Sequence, residues 1–119
     1  MQAANPPTPK VTLLGPSGVG KTNLVRSLIG AAIPTTYIPT LGVEVHAVSL
    51  NGRNYNVWDC AGWDSIYRGL GEDAYSIAAD YLVFMGVQAN DPHIAHLLSV
   101  APGAQVVILP AGATPADLP

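Results

Sequence analysis

Gly15-Pro16-Ser17-Gly18-Val19-Gly20-Lys21-Thr22 is the stretch on which the reading of this 119-residue chain turns. It matches G-x-x-x-x-G-K-[ST] in full. Glycines at these positions let backbone N–H groups curl around phosphate oxygens with no side chain in the way. A helix that begins at the end of the loop adds the positive end of its dipole. Lys21 supplies a point charge for the outer phosphates, and the Thr22 hydroxyl can ligate Mg²⁺. The competing reading is a chance glycine-rich turn. The flanks favour the phosphate loop. Val11-Thr12-Leu13-Leu14 is a short apolar run that suits a buried strand. Residues 21–30 place Leu24, Leu28 and Ile29 on one helical face, with Gly30 as the stop.

Working outward, residues 1–9 read as a flexible leader and 31–40, with two prolines and three threonines, as a loop. Val43–Leu50 and Arg53–Cys60 are rich in valine and aromatics. Asn51-Gly52 between them is the favoured two-residue hairpin turn, because both positions accept positive φ. Residues 61–73 hold Gly62, Gly69 and Gly71 and read as a second loop. A short helix is expected over 74–80 and a buried strand over Tyr81–Val87. Asp91-Pro92 starts a helix running to about Val100, with the aspartate as N-cap and the proline at the first helical position. Val106–Leu109 reads as the last strand, and 110–119 as a Pro/Ala-rich tail. The expected fold is α/β: a mostly parallel sheet of about five strands with one antiparallel hairpin strand, flanked by helices. The domain is expected to span 10–109.

Composition narrows the function classes. Hydrophobic residues make up 49% of the chain and charged residues 11%, which excludes a highly charged disordered chain. The net charge is −3, and Lys10, Lys21, Arg26, Arg53 and Arg68 form no basic stripe, so no nucleic-acid partner is expected. No apolar run approaches the ~20 residues that span a bilayer. There is no signal-peptide pattern and no C-terminal prenylation box, so no membrane partner is expected. One cysteine, Cys60, cannot form an internal disulfide, which fits a reducing, intracellular compartment such as cytoplasm or nucleus.

Two further pieces carry chemistry. Asp59-Cys60-Ala61-Gly62 ends an apolar strand, where an aspartate can hold Mg²⁺ through water and Gly62 can offer its N–H to a γ-phosphate. A capping or buried aspartate is the plainer alternative. Thr40 follows Tyr37-Ile38-Pro39 and could reach Mg²⁺ and γ-phosphate, although alone it is an ordinary loop threonine. His93 and His96 share a helix face, but no acidic pair or cysteine completes a metal site with them and His46, so they read as surface histidines. Cys60 reads as a small buried filler. Glu72, Asp73 and Asp80 read as solvated or helix-start acids rather than a catalytic pair.

The loop, Thr40-Leu41-Gly42-Val43-Glu44-Val45-His46 and Asn56-Val57-Trp58-Asp59-Cys60-Ala61-Gly62 together resemble a Ras-superfamily small GTPase, a P-loop NTPase fold. The Tyr37–His46 stretch is most similar to the Ran branch. The likeness runs from about Lys10 to Leu109 and is strongest through about Gly71. It implies GTP/GDP and Mg²⁺ as ligands. Nucleotide contacts would come from Ser17, Gly18, Val19, Gly20, Lys21, Thr22, Asn23, Tyr37, Thr40 and Gly62. Metal contacts would come from Thr22, Thr40 and Asp59. It also implies protein effectors or nuclear-transport factors docking through Tyr37–His46 and the 62–73 loop, in two switches that relax after hydrolysis.

Three departures qualify what the resemblance implies. The family places a water-orienting glutamine after the D-x-x-G glycine. Here that residue is Trp63, whose indole has one donor and no good acceptor, so slow or absent hydrolysis is expected. The family reads guanine with N-K-x-D after the strand matching Val106–Leu109. Ala111-Gly112-Ala113-Thr114 stands there without a carboxylate, so relaxed base choice is expected. The family also continues through a further strand and two helices, with an S-A-K base loop. The chain therefore reads as a truncated member with a partly bare sheet face, prone to self-association or to cover by a partner. The alternative reading is a non-catalytic module that mimics Ran's surface and competes for its partners.

Overall fold

The computed structural model describes residues 8–16, 18–29, 35–38, 43–50, 52–60 and 72–114. Strand β1 (Lys10–Leu14) leads through the glycine loop into helix α1 (Lys21–Ile29). Strands β2 (Thr35–Ile38), β3 (Val43–Leu50) and β4 (Arg53–Cys60) follow, then helix α2 (Glu72–Ser76), strand β5 (Tyr81–Met85), helix α3 (Pro92–Val100) and strand β6 (Gln105–Leu109). The sheet order is β2-β3-β4-β1-β5-β6. β1 pairs in parallel with β4 and β5, and β5 with β6. The β2–β3 and β3–β4 pairs are antiparallel.

The α/β architecture, the phosphate-loop placement and the hairpin agree with the expectation. Leu50 pairs with Arg53 across the two-residue turn, and Gly52 takes φ 78°. One difference is β2. Residues 35–38 lie in the stretch expected as a loop, yet they pair with Val43–His46 and make a sixth strand. Thr35, Thr36 and Ile38 are β-branched and Tyr37 is aromatic, which suits an edge strand once a partner is present. A second difference is α2. It begins at Glu72 and ends at Ser76, earlier than expected, and Ala78 turns the chain out at φ 58°.

Apolar side chains fill both faces of the sheet. On the α1 side, Leu13, Leu24, Val25, Val48, Val57, Val83 and Met85 pack together. On the other side, Leu14, Tyr75, Leu82, Phe84 and Leu97 join α2 and α3 to the sheet, with Cys60 buried among them as filler. Asp91 caps α3 by accepting from the His93 amide at 2.9 Å. His93 and His96 are exposed and lie against Asp91 and Asp73, each at 2.8 Å. Asp80 accepts from the Lys10 amide at 2.8 Å, a structural role at the start of β1.

The segment after β6, expected as a tail from Pro110, at first folds back instead. The Gly112 amide donates to the Val19 carbonyl at 2.8 Å, and Ala113 is buried against the α1-side core. A small side chain and an available amide let these residues brace the phosphate loop. No helix among the described residues is long and apolar enough to cross a membrane.

Candidate functional site

The loop between β1 and α1 is shaped by its glycines. Gly15, Gly18 and Gly20 take φ of 154°, 80° and 96°, a region that side chains disfavour. At Gly15 a Cβ would also press into the Met85 carbonyl oxygen. The chain thus passes close to the end of β5 and turns straight into α1. The first turn of α1 contains Lys21, Thr22 and Asn23. Lys21 is only 6% exposed, and its Nζ donates to the carbonyls of Gly15 and Pro16 at 3.0 and 2.8 Å. The ammonium is therefore held inside its own loop. Thr22 and Asn23 are exposed at the helix start, and Val19 is half-buried beneath the loop.

β4 brings the carboxylate. Thr22 Oγ1 donates to Asp59 Oδ2 at 2.9 Å, which joins the motif halves expected to share Mg²⁺. Asp59 is buried. That burial pushes its carboxyl above the ordinary carboxylate value, against the opposing pull of the Thr22 hydrogen bond and the charges of His46 and Lys21. A buried carboxylate whose charged form is penalised is a setting in which a dication stabilises the ionised state. The hydroxyl of Thr22 keeps lone pairs for a metal while its proton goes to Asp59. The residues present therefore fit phosphate and Mg²⁺: Lys21 and the loop amides would hold phosphate, and Thr22 and Asp59 would hold the ion.

Other expected residues fall differently. Tyr37 is in β2, its backbone opposite Glu44. Ser17, Thr40, Gly62 and Trp63 lie outside the described residues, as does most of the 62–73 loop. Residues 110–114, which follow β6, carry no carboxylate, and Gly112 is bonded to the phosphate loop.

The structure adds two residues that sequence reading did not assign to the site. Glu44 lies opposite Asp59 in the hairpin register, and His46 follows two residues on, on the same face. His46 is 5% exposed, with Nε2 3.4 Å from Glu44 Oε2. The signal was available. A two-residue turn at Asn51-Gly52 fixes the register, and the register places Glu44 across from Asp59.

Comparison with known proteins agrees with this geometry. The family described as Roc, Ras of Complex, domain of DAPkinase matches residues 10–101. Among solved structures, the G domain of the T. maritima FeoB iron transporter matches with a TM-score of 0.59 at 21% identity, covering 87% of this chain and 71% of that one. That likeness is one of fold. The Ras-like family binds guanine nucleotide and Mg²⁺ generally. The chain belongs to the Roc family of Ras-like GTP-binding domains.

Proposed function

We propose that this chain binds GTP and GDP with Mg²⁺ through Gly15–Thr22 and Asp59, with slow turnover and a relaxed choice of base. The observation that carries this reading is the Thr22–Asp59 hydrogen bond at 2.9 Å beside a lysine buried in its own glycine loop. Slow turnover rests on Trp63, which follows Gly62 where the family has a water-orienting glutamine. Relaxed base choice rests on the segment 110–114, which offers no carboxylate to a guanine edge. A carboxylate that accepts from the base is worth about 1.5–3 kcal/mol as a charge-assisted hydrogen bond. Its loss narrows the gap between guanine and adenine.

Calorimetric titration with GTP, GDP and ATP, each with and without Mg²⁺, tests the reading. Binding that strengthens with Mg²⁺, with ATP within about tenfold of GTP, is expected. No binding of any nucleotide would overturn it. A single-turnover rate equal to that of ordinary family members would defeat the argument from Trp63.

A second reading concerns partners. The stretch Tyr37–His46 is similar to the Ran branch, and β2 is an edge strand among the described strands, a position from which β-augmentation can extend a sheet. On this reading the surface engages effectors or nuclear-transport factors, with nucleotide structural or dispensable. Partner binding retained after Lys21→Ala would favour it.

A further inference from the structure

We propose that Glu44, His46 and Asp59 form a binding site for a transition-metal dication of the Zn²⁺ or Co²⁺ type, beside the Mg²⁺ position rather than identical with it. Their ligand atoms all lie within 4.8 Å of one another. The site is built by the hairpin. The β3–β4 register sets Glu44 against Asp59, and the two-residue period of a strand returns His46 to the same face.

The ligand chemistry selects the ion. Two carboxylates and one imidazole suit a borderline dication, whereas Mg²⁺ prefers an all-oxygen shell that keeps several waters. With a neutral imidazole, the two carboxylate charges balance one dication. In a tetrahedral site, zinc–ligand bonds of about 2.0–2.2 Å put ligand atoms about 3.3–3.6 Å apart. Closing on an ion therefore draws ligand atoms that lie within 4.8 Å of one another together by up to about 1.5 Å. Glu44 can make that movement, because its side chain is 44% exposed while that of His46 is 6% exposed. The buried histidine gives a fixed ligand, and the half-exposed glutamate a route in.

Asp59 is shared with the proposed Mg²⁺–nucleotide site, so the two ions compete for it. Glu44 and His46 are not shared. This separates the two readings: a test without nucleotide addresses only the transition-metal site.

The experiment is titration of the nucleotide-free full chain with Zn²⁺ by calorimetry, then with Co²⁺ by visible absorption. One equivalent is expected, with a d–d spectrum of nitrogen and oxygen ligands and no thiolate charge-transfer band. Glu44→Gln and His46→Asn should each weaken binding about tenfold or more, at least the loss seen when an outer-shell partner of a metal ligand is removed. Glu44 is half-exposed on a strand, so its variant tests the site even if His46→Asn disturbs folding. The double variant His93→Gln/His96→Gln should keep full affinity. Failure of the wild type to bind Zn²⁺ would overturn the proposal. So would a thiolate band that places the metal on Cys60, or undiminished affinity in Glu44→Gln. In those cases Glu44 and His46 are only neighbours on one face of β3.

Discussion

At Lys21 an ammonium group sits buried with its donors on the carbonyls of Gly15 and Pro16. Burial costs a charge free energy unless hydrogen bonds and countercharge offset it. The two carbonyls supply hydrogen bonds, the Asp59 carboxylate lies within electrostatic reach, and an incoming phosphate adds countercharge. Lys21→Met keeps most of the volume and removes the charge. It should lower triphosphate affinity by about 1.5–3 kcal/mol, roughly ten- to a hundredfold, with an unchanged circular dichroism spectrum. Equal affinity in the variant would show that the loop amides alone hold the phosphates. Lys21 was legible in the sequence because its partners are its immediate neighbours in a fixed spacing. Asp59 was legible for a similar reason: it ends an apolar strand ahead of Ala61-Gly62. Glu44 and His46 were not assigned to the site, because what makes them chemically interesting is a neighbour reached across a hairpin. That relation appears only when the register is worked through residue by residue.

Among the elements, α3 shows the effect of one cap. Asp91 accepts from the His93 amide, and Pro92 occupies the first helical position, where a missing N–H costs nothing. Asp91→Ala should destabilise the fold by about 1 kcal/mol at neutral pH, the usual effect of losing an N-cap. Asp91→Asn should retain most of it. The amide hydrogen bond, followed by the His93 side chain, holds the Asp91 carboxyl below its ordinary value of 3.8. A carboxyl lowered by folding stabilises fully above its unfolded value and loses that contribution as pH falls through its folded one. The gap between wild type and Asp91→Ala should therefore shrink in urea melts run below about pH 3.8, and the small advantage over Asp91→Asn should vanish with it. A constant gap at every pH would show that the cap acts through its shape alone. This helix was readable because Asp-Pro ahead of an apolar stretch is a local signal. β2 was not, because two threonines and nearby prolines read as a loop until β3 offers a partner edge. Strand formation there is a property of the pair, and no window on one strand contains it.

At the scale of the whole molecule, the sheet is covered unevenly. Beside α1 lies a groove of about 350 Å³, walled by apolar residues of β1, β3, β4, β5 and β6 that include Val11, Val48, Tyr81 and Val107. Arg53 and Gln105 are its polar members. An apolar groove gives a second copy a place to pack, and with 11% charged residues the chain has little charge repulsion to oppose it. Static light scattering should give a mass above the 12.3 kDa of one chain, falling on dilution. Leu50→Glu provides the discriminating variant. Leu50 lines the groove at the end of β3 and pairs with Arg53 across the turn. A glutamate there meets an opposite charge on the neighbouring strand, a favourable cross-strand pair of about 0.2–1 kcal/mol, so the hairpin should persist. It also places a charge that association would have to bury without water, which is costly unless Arg53 pairs with it fully. The variant should scatter as a monomer at concentrations where the wild type does not. A wild type that is monodisperse and monomeric, or a Leu50→Glu variant that associates equally, would show that this groove does not drive contact between copies.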